Sequence, residues 1–160
     1  MSILFKRIET KRIRPAIGDI CEIQAGAVER LICRVVRLDA KGGLCGRFPM
    51  IYLFREVDIG RGVDSLPVSK MWDGPILLLD RALWNNGYCK RIATRPFGAG
   101  EKLECHCFRI DIAGEVSDED GRAVEKTACV RFGPVGVYTV QGLERRVAER
   151  LGMSLPSEAR

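Results

Sequence analysis

Turn-forming residues cut this chain into short apolar stretches, and that punctuation most limits what it can become. Gly18-Asp19 precedes Ile20-Cys21-Glu22-Ile23, and Leu31 to Leu38, rich in β-branched residues, ends at Lys41-Gly42-Gly43. Phe48 to Phe54 follows, its Pro49 placing it at a sheet edge or a strand start. Stretches of this length suit strands. Ile76-Leu77-Leu78-Leu79 has no polar alternation and reads as a strand buried on both faces. Asn85-Asn86-Gly87 is a hairpin-type turn, because asparagine and glycine tolerate positive φ, with Tyr88 to Ala93 as the returning strand. Leu103 to Ile112 and Ala123 to Phe132 suggest a further hairpin.

One segment has helical periodicity. From Val140 to Gly152, Leu143, Val147 and Leu151 share a stripe, while Glu144, Arg145, Glu149 and Arg150 are expected outside it. Thr139 supplies an N-cap and Gly152 a C′ terminator. The expected fold is therefore α+β: a mostly antiparallel twisted sheet, or a partly open β-barrel, with a C-terminal helix. At 160 residues and 17.9 kDa it fits one domain over 1–160, with the basic segment 1–14 and the tail 154–160 expected to be mobile. No apolar run approaches the roughly 20 residues of a membrane span. Met1 to Arg7 sets apolar residues before basic ones, the reverse of a secretory signal, so a cytoplasmic location without membrane attachment is expected.

Seven cysteines stand against a single histidine. An odd count without a signal sequence favours free thiols. Structural zinc needs ligands paired at C-x2-4-C spacing, and the close pair here is Cys105-His106-Cys107. On a strand, alternation sends Cys105 and Cys107 to one face and His106 to the other, so the three cannot share an ion, nor can His106 activate a neighbouring thiol. Buried apolar cysteines are the favoured reading, zinc the minor one, and no cofactor is expected. No G-x-S-x-G, phosphate-binding glycine loop or H-E-x-x-H is present, which disfavours an enzyme.

The formal charge of +5 is unevenly spread. Residues 1–14 carry five basic side chains against Glu9, whereas residues 101–120 carry seven acidic ones against Lys102 and Arg109. A two-signed surface orients encounters with an oppositely patterned protein. The basic end has only Phe5 interleaved, where nucleic-acid modules stack bases on several aromatics, so nucleic acid is the disfavoured partner. Trp72 and Trp84 both flank turns; Trp72 reads as a lid on the sheet, Trp84 as a partner anchor.

The order of Gly18-Asp19-Ile20-Cys21-Glu22-Ile23, Arg34-Val35-Val36, Tyr52-Leu53-Phe54 and Gly87-Tyr88-Cys89-Lys90-Arg91-Ile92-Ala93, with Pro96 beyond, resembles the immunity protein 26 family of bacterial polymorphic toxin systems. The resemblance spans about Arg14 to Phe97. It implies a non-enzymatic cytoplasmic protein that binds a cognate toxin and blocks it by stoichiometric occlusion, without a cofactor. Physical reasoning places the partner-binding residues at Glu115, Asp118, Glu119 and Asp120, with Trp84 as anchor, facing a basic toxin surface. The alternative is a small β-barrel-like module that binds nucleic acid or peptide through the basic end and a sheet face.

Overall fold

The computed structural model describes residues 4–60, 63–110 and 114–155. Its strands are β1 (Asp19–Ala25), β2 (Glu29–Ala40), β3 (Phe48–Arg55), β4 (Asp73–Leu78), β5 (Cys89–Thr94), β6 (Cys107–Arg109), β7 (Val116–Ser117), β8 (Phe132–Gly133) and β9 (Val137–Tyr138). Helix α1 spans Ala82–Asn85 and α2 spans Val140–Leu151. Six strands form one sheet in the order β5-β1-β2-β3-β4-β9, antiparallel except for the parallel pair β4 and β9. A smaller sheet runs β7-β6-β8. The α+β expectation holds, and of its two forms the open sheet is the one found; it does not close into a barrel.

The apolar runs of β2 to β4 follow from burial on both sides. Leu31, Cys33 and Val35 of β2 join Ile51, Leu53, Ile76 and Leu78 in a core that includes Leu143 and Val147 of α2. The intervening Ile32 and Val36 join Met50, Tyr52, Phe54 and Leu77 in a second core with Phe108. A strand with both faces covered needs no polar alternation, and Leu79, just past β4, returns to solvent.

Helix α2 has the expected caps. The Thr139 hydroxyl accepts from the Gly142 N–H at 3.1 Å, and Gly152 adopts the left-handed conformation at φ 66°. Glu144 departs from expectation: it is 1% exposed. Its Oε1 accepts from the backbone N–H groups of Leu4 at 2.9 Å and Phe5 at 2.7 Å. Those amides are buried against the helix and require an acceptor, which explains an acid on the covered face. Residues 4–9 are correspondingly docked rather than loose. Phe5 bridges Ala25, Lys6 N–H donates to Gln24 O, and both Ile8 and Glu9 donate to Gly87 O.

The turn at Asn85-Asn86-Gly87 does not make a hairpin. The chain coils into α1, and β5 crosses to pair with β1 at the far edge. Gly87 is required at φ 76°, where a Cβ would overlap the Glu9 carbonyl. The expected hairpin of 103–112 and 123–132 is also replaced: β6 pairs antiparallel with β7 and parallel with β8. The expected strand end at Ile112 and the tail beyond Leu155 lie outside the described residues. Among those described, no helix is long and apolar enough to cross a membrane.

Candidate functional site

The polar and sulfur chemistry concentrates where the loop between β5 and β6 covers the face carrying Tyr52. Ion pairs inside the fold hold that loop. The Arg95 guanidinium grips Glu101 with two bonds of 2.7 and 2.6 Å, and the N–H groups of Leu66 and Gly98 donate to the same carboxylate at 2.6 Å each. The Arg95 bonds, reinforced by those amides, hold Glu101 down at about 2 despite its burial. Arg34 of β2 reaches the loop from below, donating to Arg95 O and Pro96 O at 3.0 and 3.1 Å, with Phe97 stacked over it at 4.4 Å.

So positioned, His106 is fully buried and bonded through both ring nitrogens. Nε2 lies 2.5 Å from the Tyr52 hydroxyl and Nδ1 3.1 Å from Glu119 Oε1. The Tyr52 oxygen also accepts the Leu103 N–H at 3.1 Å, so its own proton is available to Nε2. With the Tyr52 proton directed to Nε2, the Nδ1 proton points to Glu119. Burial pushes the Tyr52 phenol up to about 12. Burial would also raise Glu119, but the bonds from His106 outweigh it and hold this carboxyl at about 2. The strand expected from Leu103 begins only at Cys107, so Cys105 and His106 lie outside it; His106 faces Tyr52 and Glu119 while the Cys105 and Cys107 sulfurs lie together. Tyr52 and Glu119 are distant in sequence and carry no local signal.

The cysteines divide into two groups. Cys21, Cys33 and Cys89 are buried free thiols, as expected for small apolar side chains. Burial raises Cys89 well above an ordinary thiol. Cys107 and Cys129 correct the free-thiol expectation: they form a disulfide with Cα atoms 5.9 Å apart. Cys129 follows a single 3-10 turn, Lys126–Ala128, that folds back over β6, a non-local approach that spacing cannot reveal. Cys105 remains a free thiol with its Sγ 3.6 Å from Cys107 Sγ. Among the described residues, no group of His, Cys, Asp and Glu is arranged to hold a metal ion.

The acidic residues named from sequence converge in part. Asp118 closes a tight turn, its carboxylate accepting the N–H groups of Asp120 and Arg122 at 2.9 Å each. Asp120 pairs with Arg37 at 2.7 Å, and Glu119 O accepts the Lys41 N–H at 2.7 Å. Glu115 leads into the same turn, its carbonyl accepting the Ile110 N–H at 2.9 Å with its side chain exposed. Trp84 does not belong to this surface. It is 0% exposed and packs in the core on the opposite face of the sheet, because α1 turns its ring inward. Trp72 is half-buried at the end of the sheet with the Arg150 guanidinium 4.8 Å over its ring, consistent with a lid.

No family model, curated protein or solved structure matches the chain.

Proposed function

We propose that the chain is a non-catalytic binding protein whose acidic turn, Asp118 to Asp120 with Glu115 beside it, docks onto a basic surface of a cognate toxin and blocks it. The observation that supports this reading is the fixed geometry of the turn. Main-chain bonds from Lys41 and Ile110, the Asp118 side chain and the Arg37–Asp120 pair hold the turn in place before any partner arrives. Pre-organisation lowers the ordering cost of association, which suits stoichiometric occlusion. The burial of His106, with both ring nitrogens occupied, favours a structural histidine over a catalytic one. With Trp84 inside the core, the contact surface is polar and its association rate is sensitive to salt.

The test takes as partner a toxin domain found encoded beside this gene, and the absence of any such neighbour would count against the reading. Glu115→Gln with Asp120→Asn removes charge while leaving Asp118 and Glu119 in their structural bonds. Affinity is expected to fall about tenfold at low salt, with a shallower salt dependence. Unchanged affinity and salt slope would refute the interface, and tight salt-sensitive binding to generic duplex DNA would refute the partner class.

A further inference from the structure

We propose that Cys105, Cys107 and Cys129 form a thiol–disulfide exchange site in which one disulfide bond moves between two positions. Three sulfurs lie together: a disulfide joins Cys107 to Cys129, and the Cys105 thiol lies at 3.6 Å from the Cys107 sulfur, at van der Waals contact. A thiol and a disulfide held this close need no diffusion to react. This site stands apart from the toxin-binding reading and does not depend on it.

The exchange is balanced within the chain. Cys105 gives its proton to solvent, and its thiolate attacks Cys107 Sγ. The Cys105–Cys107 bond forms as Cys107–Cys129 breaks, and Cys129 departs as a thiolate that takes up a proton. No oxidant or reductant is consumed. Burial, with the carboxylates of Glu119 and Asp118 nearby, pushes the Cys105 thiol up, so it rests protonated beside the intact bond. Cys21, Cys33 and Cys89 are sealed in the core and take no part.

Moving the bond changes the surface. With Cys107–Cys129 intact, residues 123–131 are stapled to β6. Without it they keep the Val124 N–H to Val116 O bond at 3.0 Å and the Arg131 bonds to Met71 O and Trp72 O at 2.8 and 3.1 Å. The stapled segment forms one wall of a cleft of about 440 Å³, with Ile110 and Val116 opposite Val124 and Lys126. The exchange therefore frees a half-exposed Cys129 thiol and removes the covalent tie between β6 and the segment that walls the cleft.

The test uses full-length protein carrying Cys45→Ser, to remove the exposed free thiol, without reductant at mildly alkaline pH. N-ethylmaleimide quenching and peptide mass spectrometry follow. Alkylated Cys129 is expected to accumulate alongside a peptide that has lost two hydrogens across Cys105 and Cys107. Cys105→Ser is expected to slow Cys129 alkylation by about tenfold or more. In a second variant, Cys129→Ser, oxidation by glutathione disulfide is expected to yield the internal Cys105–Cys107 link. Failure of Cys129 to become alkylated, equal rates with and without Cys105, or a Cys129→Ser protein that stops at a glutathione adduct would each overturn the proposal.

Discussion

Replacing Glu101 by glutamine removes the charge that fastens the β5–β6 loop while nearly preserving shape. Its carboxyl moves from an ordinary 4.5 to about 2 in the folded chain. A depressed acid stabilises the fold above its unfolded value, and that contribution is lost as pH falls through the folded value. Each unit corresponds to about 1.4 kcal/mol, so the shift is worth about 3 kcal/mol at pH 7 and about 1 kcal/mol near pH 2.5. The side chain is only 3% exposed, so solvent screening removes little of this. The assay is urea unfolding of wild type and Glu101→Gln, followed by tryptophan fluorescence at both pH values. Glu119 titrates over the same range in both proteins, so the difference between them isolates Glu101. A destabilisation that stays the same from pH 7 to pH 2.5, or one below about 0.5 kcal/mol at pH 7, would refute the role of the charge.

Two further outcomes follow from buried hydrogen bonds. Glu144→Ala strands the Leu4 and Phe5 amides and is expected to cost about 2–4 kcal/mol, with faster proteolysis near the N-terminus than in wild type; a loss of stability with unchanged cleavage there would contradict it. In an ultraviolet titration of the three tyrosines, one is expected to ionise near 12, and Tyr52→Phe removes that step and costs about 1–3 kcal/mol. Persistence of the late step in the variant would assign it to another residue.

What the sequence disclosed was local. The stripe of Leu143 and Val147 with Thr139 and Gly152 at the ends defines α2, because helix period and caps are set within a few residues. Glu144 sits at the margin of that stripe, and only the arrival of Leu4 and Phe5 buries it. The same holds for β5, whose turn is of hairpin type but whose partner, β1, lies before β2, β3 and β4 in the chain. At the candidate site, the expected alternation needs a strand through Cys105 and His106, but β6 starts at Cys107, and Tyr52, Glu119 and Cys129 come from other elements. Trp84 beside a turn read as surface because turns are usually exposed; a four-residue helix was enough to swing it inward.

The clasp between Glu144 and the amides of Leu4 and Phe5 also sets an order of events during synthesis. Its partners are separated by 140 and 139 positions, so at about 5–20 residues per second the N-terminal segment waits on the order of ten seconds for its acceptor to be made. Until α2 leaves the ribosome, the face of the central sheet that Leu143 and Val147 cover has only α1 and the N-terminal segment against it, and two amides have no acid to meet. The nascent chain therefore passes through a stage with its sheet half-dressed, and the clasp closes only when α2, made after every strand of the central sheet, arrives.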